Sequence, residues 1–248
     1  MKRGVLLVVC LCLMPLIAGA QGFTVVLDAG HGGKDPGCIG SAKANQEKHI
    51  ALNIALEVGR LVEQKLSDVH VIYTRSNDTF VALGRRAEIA NEAKADLFVS
   101  IHVNALPKNR TTMGVQSYTL SLEPSAVNLE VEKRENAVIA LEGDEAKKYN
   151  YAVSAEADIM FELMQDRDMQ QSVRFAQLAQ QEMVGTAGRQ DMGIRQANLA
   201  VLRLTYMPSV LLEVGFISTP AEEQFLLSDS GQKKLAQAIY NAIAQFVK

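Results

Sequence analysis

Near-continuous apolar runs, separated by stretches with helical periodicity, constrain the fold of this chain more than any other feature. Such runs cover residues 23–28, 97–103 and 210–214. Between residues 47 and 65, by contrast, apolar positions recur at helical spacing. Strands that are apolar on both faces are typical of sheets covered by helices on both sides. The alternation therefore predicts an α/β layered domain with buried strands.

Shorter patterns extend this series along the chain. We expect strands at 69–74 and 115–120, helices at 81–94 and 171–183, and a closing helix near the C-terminus. Residues 122–170 are charged and helix-prone, without a strong strand pattern. We interpret them as a helical insertion in the domain.

The N-terminus has the layout of a secretory signal peptide. Lys2 and Arg3 precede an apolar run over residues 5–17 that ends in Ala18-Gly19-Ala20. We expect cleavage after Ala20, which leaves residues 21–248, a length that one α/β domain can fill. The apolar run is too short to span a bilayer comfortably, and no later stretch is apolar for long enough. The pattern predicts an exported, soluble domain with no membrane span after signal removal.

Charge and cysteine content exclude two classes of protein. The net charge is −3 and the lysines and arginines are scattered, so the sequence lacks the basic surface of a nucleic-acid-binding protein. Cys10 and Cys12 lie inside the expected signal peptide, so Cys38 remains alone. A single cysteine excludes an intramolecular disulfide framework, and we interpret Cys38 as a small, partly buried thiol.

Four polar side chains stand at the edges of apolar elements. His31 follows the first strand in a glycine-rich loop, His102 follows the apolar residues 97–101, and Glu213 follows 210–212. Glu47 shares the inward-facing stripe of its helix, because it lies three and seven residues before apolar members of that stripe. Open α/β sheets gather their sites at the carboxyl edge of the strands. These residues are therefore candidates for one site.

Two imidazoles and one carboxylate form the ligand set of a catalytic zinc ion, which keeps a fourth position open for water. His31, Glu47 and His102 would supply these ligands. Zinc polarises a carbonyl oxygen and lowers the pKa of bound water to about 7, so an amide can be attacked without a protein nucleophile. Glu213 suits the remaining role, because a second carboxylate must take the proton from the water and pass it to the leaving amine.

Other interpretations of these residues stay open. Each histidine alone is more often a hydrogen-bonded structural residue than a metal ligand. Residues 30–33 could instead cradle a phosphate, although they lack the Gly-Lys-Ser/Thr of a P-loop and the G-x-G-x-x-G of a Rossmann turn. No serine stands in a G-x-S-x-G elbow, which leaves a serine hydrolase with little support. We assign His49 to the surface and His70 to a partly exposed strand position.

Four motifs stand in order along the chain. They are Leu27-Asp28-Ala29-Gly30-His31-Gly32-Gly33, Glu47-Lys48, Ser100-Ile101-His102-Val103-Asn104 and Leu212-Glu213-Val214-Gly215-Phe216-Ile217-Ser218. Together they resemble the N-acetylmuramoyl-L-alanine amidase family, in the type-3 class of bacterial cell-wall amidases, over essentially the whole mature chain. The resemblance implies a single α/β domain with a twisted, mostly parallel sheet flanked by helices. It also implies zinc on His31, Glu47 and His102, with Glu213 as the catalytic glutamate. The implied reaction is hydrolysis of the peptidoglycan amide that joins the lactyl group of N-acetylmuramic acid to L-alanine.

Residues 122–170 resemble an insertion that some members of this family carry, in which a helix lies over the zinc cleft until an activator protein displaces it. Glu135 is then the candidate for a carboxylate that occupies the open zinc position. A fourth protein ligand would remove the site for water and leave the metal inert. The alternative is a solvated, charged helix, because Glu130, Glu132, Glu142 and Glu145 are equally acidic.

Two further functions stay open: a zinc peptidase that cuts within the stem peptide, and a catalytically inactive wall-binding scaffold. Intact His31, Glu47, His102 and Glu213 count against the scaffold. Thr219 departs from the asparagine that many members have after Phe-Ile-Ser, and no wall-binding module is recognisable beside the domain. A cleavable signal without an anchor leads us to expect a periplasmic location.

Overall fold

One sheet organises the described residues, which are 22–106, 108–121, 128–149, 151 and 155–248 of a computed structural model. For residues 155–166 the description covers the backbone alone. The six strands in this part of the chain are β1 (Phe23–Ala29), β2 (Val69–Tyr73), β3 (Leu97–Asn104), β4 (Val115–Leu120), β5 (Asp191–Ala197) and β6 (Ser209–Phe216). The expected signal peptide, residues 1–20, lies outside the described residues.

The strands lie in the order β2-β1-β3-β6-β4-β5. All neighbouring pairs are parallel except β4 with β6, which is antiparallel. The predicted mostly parallel α/β sheet is therefore confirmed. Because β1, β2, β3 and β6 run the same way, their carboxyl ends meet at one edge of the sheet.

Helices cover both faces of the sheet. Their bounds are α1 (Glu47–Lys65), α2 (Leu83–Glu92), α3 (Leu129–Asn136), α4 (Ala155–Gly185), α5 (Ala200–Arg203), α6 (Pro220–Leu227) and α7 (Asp229–Phe246). Two short 3₁₀ segments, Ala137–Leu141 and Gly143–Lys148, follow α3. No helix in the described part of the chain combines the length and the apolar character needed to cross a membrane.

Alternate residues of each central strand contribute to two separate cores. Val25 and Leu27 of β1 pack in the core formed with α1, α4 and α7, whereas Val26 packs in the core formed with α2, α3 and α5. Successive strand side chains point to opposite faces. A strand with both faces buried must be apolar at nearly every position, which explains the runs in the sequence.

The structure differs from the sequence prediction in four places. β5, α5 and α6 were not predicted, and α4 extends from Ala155 to Gly185, so the expected insertion boundary at 170 falls inside a helix. β5 lies at the end of the sheet and keeps several exposed residues, so it lacks an apolar run. In α4, the buried Phe175, Ala179 and Met183 pack in the core, and only this second half of the helix produced a recognisable stripe.

Candidate metal and catalytic site

Four buried side chains converge at the carboxyl edge of the sheet. His31 lies in the loop after β1, Glu47 is the first residue of α1, His102 lies on β3 and Glu135 on α3. Each offers one ligand atom, and these four atoms all lie within 4.8 Å of one another. Elements far apart in the sequence therefore build one compact cluster, which we call the His–Glu cluster.

The distances in the His–Glu cluster suit a single metal ion. Glu47 Oε1 lies 3.1 Å from His31 Nε2 and 3.1 Å from His102 Nδ1. Glu135 Oε2 lies 3.0 Å from His102 Nδ1 and 3.5 Å from His31 Nε2. Both His31 Nε2 and Glu135 Oε2 are buried, and despite these close neighbours neither atom has a partner with hydrogen-bond geometry among the described residues. Imidazole nitrogens and carboxylate oxygens arranged in this way are the donor set of a zinc site, so these residues fit the metal.

Strained backbone presents the His31 ring to the cluster. His31 has a φ of 60°, in the left-handed region that non-glycine residues rarely adopt. Arg86 Nη2 donates to the His31 carbonyl oxygen at 2.7 Å, and His31 Nδ1 lies 2.7 Å from Asp35 Oδ2. A carboxylate on the outer ring nitrogen fixes the tautomer and orientation of a ligating histidine. Asp35 therefore leaves Nε2 available for a metal.

Buried charges beneath the loop hold it against the sheet. Asp28 accepts hydrogen bonds from Arg86 Nη1 at 2.7 Å, from Thr74 Oγ1 at 2.6 Å and from Ser100 Oγ at 2.6 Å. Burial raises the pKa of Asp28, but the Arg86 guanidinium and these hydrogen bonds outweigh that effect and lower it. The carboxylate stays ionised, and the network links β1, β3 and α2 with Thr74, the residue after β2.

The carboxylate of Glu47 is oriented by two backbone amides. Cys38 N donates to Glu47 Oε2 at 2.7 Å, and Val103 N donates to Glu47 Oε1 at 2.7 Å. Burial raises the pKa of Glu47, whereas the neighbouring His31 and the hydrogen bond from His102 lower it below its ordinary value. Glu47 points into the fold, as its helical position predicted, and it is an ionised ligand candidate.

Carboxylates also control the protonation of the two histidines. Burial lowers the pKa of His102, but Glu135 and Glu47 together raise it to about 9. Burial has the same effect on His31, and there Glu47 and Asp35 raise the pKa well above its ordinary value. Protons on the two histidines thus balance the negative charge of the carboxylates, and a divalent cation would take the place of these protons.

Glu213 lies beside the cluster on β6, where it is the register partner of His102. Its side chain is fully buried, and burial raises its pKa to about 8, although the Arg134 guanidinium opposes this shift. Arg134 Nη2 donates to Glu213 Oε1 at 3.1 Å, while Glu213 Oε2 has no hydrogen-bond partner within the described ranges. A carboxylate in this state can hold or release a proton near neutral pH.

The structure brings together the predicted residues and adds two others. His49 and His70 are exposed and lie outside the cluster, and Cys38 is a buried, free cysteine, as expected. Sequence reasoning missed Asp35 and Arg134. Asp35 stands four residues after His31 and Arg134 directly precedes Glu135, but sequence spacing alone does not reveal their contacts.

An α/β domain with a buried His–Glu–His cluster and a second carboxylate at its carboxyl edge has the features of a metal-dependent hydrolase. A sequence model of the N-acetylmuramoyl-L-alanine amidase family matches residues 25–245. The chain belongs to this family, as its motifs predicted.

Named relatives and solved structures agree with this membership. The chain is 34% identical to N-acetylmuramoyl-L-alanine amidase AmiC of Neisseria meningitidis serogroup B over 90% of its own length and 52% of that protein. It is 33% identical to AmiA of Salmonella typhimurium over 90% of its length and 75% of that protein. It therefore spans about half of the first relative and three quarters of the second. The crystal structure of N-acetylmuramoyl-L-alanine amidase from Clostridium difficile 630 superposes with a TM-score of 0.69 at 27% identity, covering 92% of this chain and 97% of that one.

Proposed function

We propose that this protein hydrolyses the peptidoglycan amide between the lactyl group of N-acetylmuramic acid and the L-alanine of the stem peptide. The observation that carries the proposal is the His–Glu cluster beside Glu213, in a chain of the amidase family. His31, Glu47 and His102 would hold a zinc ion. When bound, zinc would activate a water molecule and polarise the scissile carbonyl group.

The protein's own side chains have separate tasks in this reaction. Glu213 accepts the proton released by the attacking water at its unpaired Oε2 and delivers it to the leaving nitrogen. The amide C–N bond breaks, the water oxygen ends on the lactyl carboxylate, and L-alanine becomes the new N-terminus of the peptide. Asp35 keeps the His31 ring in place during these steps.

Digestion of purified sacculi tests this proposal. Residues 21–248 should release intact stem peptides with L-alanine at the N-terminus, detected by mass spectrometry, and a chelator should abolish the release. Glu213→Gln should lower the rate by at least about a hundredfold, because general acid–base catalysis contributes this much. Fragments cut within the stem peptide would indicate a zinc peptidase instead. If the zinc-loaded protein releases no peptide from any sacculus even when Glu135→Ala removes the candidate fourth ligand, the scaffold becomes the better explanation.

We also propose that α3 closes the site until a partner displaces it. Glu135 stands where a fourth ligand would exclude water from the metal. Its neighbour Arg134 donates to both Glu135 and Glu213, at 2.8 and 3.1 Å. The same helix therefore engages the ligand cluster and the catalytic carboxylate. A solved relative, the CwlD amidase of Clostridioides difficile, is described in complex with the GerS lipoprotein, which supports the idea of a protein activator.

Point variants test this gate better than deletion of residues 122–170, which would remove the first half of α4. Glu135→Ala should release stem peptides faster than the wild type without a partner. Glu130→Ala is the matched control, because Glu130 lies on the same helix with an exposed side chain. Equal rates for Glu135→Ala and the wild type, with zinc bound in both, would contradict the gate.

Export completes the proposal. We infer that residues 1–20 direct the protein to the periplasm, where its polymeric substrate lies. Mass spectrometry of the protein from a cell envelope fraction should find an N-terminus at Gln21. An uncleaved chain in the cytoplasm would contradict this location.

A further inference from the structure

An unsatisfied acceptor stands at the edge of the site, outside the His–Glu cluster. Asn104 ends β3, two residues after His102, and the residue is 2% exposed. Its Oδ1 atom is buried without a hydrogen-bond partner in the described part of the chain. Buried polar atoms in native proteins nearly always have a partner, so we expect this atom to bind a group outside the described residues.

Neighbouring side chains hold the Asn104 amide in one orientation. Asn104 Nδ2 donates to Gln116 Oε1 at 3.4 Å, and the Tyr118 hydroxyl donates to the same oxygen at 3.1 Å. Gln116 thus receives two donors through its carbonyl oxygen. The NH₂ group of Asn104 is directed towards Gln116, which leaves Oδ1 as the group that Asn104 presents to a ligand.

The position of this pair shows which part of a substrate it faces. His102, Glu213 and Gln116 are register partners across β3, β6 and β4. The His–Glu cluster lies on the β1–β3 side of Glu213, whereas Gln116 lies on the opposite side of β6. In the proposed reaction the scissile carbonyl belongs at the metal and the leaving nitrogen at Glu213. A line from the metal ligands through Glu213 to Gln116 therefore runs from the scissile carbonyl, past the leaving nitrogen, into the stem peptide.

Helix α3 covers this place in the present structure. Arg134 Nη1 donates to the carbonyl oxygen of Ala105, the residue after Asn104, at 3.4 Å, and Arg134 Nη2 donates to Glu213. Withdrawal of α3 would therefore remove the contacts that Arg134 makes beside Asn104 and with the catalytic carboxylate.

We propose that Asn104 Oδ1 accepts the backbone N–H of the amide that joins L-alanine to the second residue of the stem peptide. Gln116 and Tyr118 are positioning residues that orient Asn104. This inference rests on the proposed amidase function and assigns the peptide side of its binding cleft.

Two substrates that differ by one methyl group test the contact. One is an N-acetylmuramoyl peptide with a natural stem, and the other is N-methylated at the amide between L-alanine and the second residue. We would measure kcat and KM with the wild-type chain and with Asn104→Leu, each also in the Glu135→Ala background. Thr119→Val is the matched control, because Thr119 Oγ1 is likewise buried and unpartnered within the described residues, but Thr119 lies on the face of β4 opposite to Gln116.

We expect N-methylation to raise KM only in proteins that retain Asn104. N-methylation should raise KM about tenfold for the wild type and for Thr119→Val, as the loss of one buried hydrogen bond predicts. Asn104→Leu should raise KM about tenfold for the natural substrate and show no further penalty from the methyl group. Tyr118→Phe should raise KM by a smaller factor. A methyl penalty in Asn104→Leu as large as in the wild type would overturn the proposal.

A binding measurement separates this inference from the proposed function. Calorimetric titration of the two free stem peptides into the Glu135→Ala proteins, with and without Asn104→Leu, requires no turnover. The contact would be supported, even if hydrolysis fails, by tighter binding of the natural peptide than of the N-methylated one that is lost in Asn104→Leu. Equal binding of both peptides, or binding of neither, would refute the contact while leaving sacculus digestion as the test of the amidase.

Discussion

Replacing Asp28 by asparagine tests how strongly one buried ion pair holds the loop that carries His31. The Asp28 and Arg86 side chains are each 1% exposed, with 2.7 Å between Asp28 Oδ1 and Arg86 Nη1. Asparagine keeps the shape of the side chain but leaves the guanidinium without a counter-charge. Removing one partner of a buried ion pair costs about 3–5 kcal/mol. Arg86 would keep its bonds to the carbonyl oxygens of Val81, Ala29 and His31, so we expect the lower end, about 3 kcal/mol.

Urea unfolding at neutral pH measures this loss in the free energy of unfolding. In thermal unfolding of a domain of this size, a loss of about 3 kcal/mol should lower the melting temperature by roughly 6–12 °C. Ser100→Ala is the control, because it removes only one hydrogen bond to Asp28 and should cost about 1 kcal/mol.

The pH dependence gives the prediction a second, independent readout. The pKa of Asp28 lies below its ordinary value of 3.8 in the folded protein. Its stabilisation is therefore fully present above that value and is lost as the pH falls through the folded-state pKa. The difference between wild type and Asp28→Asn should shrink in acid. A difference below about 1 kcal/mol at neutral pH, or one that does not change in acid, would refute the reasoning, because a buried ion pair should give a larger effect.

Three further predictions address other parts of the structure. In Gly30→Ala, a Cβ atom would lie 2.5 Å from His102 Cε1, so the His102 ring must move. The affinity for zinc, measured by competition with a chelator, should fall at least about tenfold, whereas the circular dichroism spectrum should stay unchanged. Unchanged affinity would argue against His102 as a ligand. Burial raises the pKa of Cys38, so a thiol reagent should label it slowly in the native protein and rapidly in denaturant, whereas rapid native labelling would contradict the burial of this residue. Phe175 on α4 is fully buried, with its ring centroid 5.4 Å from that of Phe246, so Phe175→Ala should cost about 3–5 kcal/mol in urea unfolding. A loss below about 1 kcal/mol would show that α4 does not pack against α7 as described.

Elements with a periodic apolar pattern were predictable, and elements without one were not. The central strands are apolar on both faces and α1 on one face because these faces are buried. Their positions could therefore be predicted from the sequence. β5 contains Gly193 and exposed residues, and it is held by pairing with β4. Its strand conformation depends on a neighbour that lies far away in the sequence, so local pattern could not reveal it.

The candidate site divides in the same way. His31, Glu47, His102 and Glu213 could be predicted because each interrupts or borders an apolar element. Asp35 and Arg134 occupy ordinary polar positions in a loop and on a charged helix. Their importance comes from contacts with His31 and Glu213 that exist only after folding.

By itself, the sequence determined the class of fold, the family and the identities of the candidate ligands, because apolar periodicity and residue chemistry are local properties of the chain. Tertiary structure alone decided that four ligand atoms, from the loop after β1 and from α1, β3 and α3, come within 4.8 Å of one another. It also decided that Arg134 reaches Glu213 and that Asn104 Oδ1 is left without a partner in the described residues. These features depend on the order of the strands and on the placement of α3 over their carboxyl ends, which many separate packing contacts determine together.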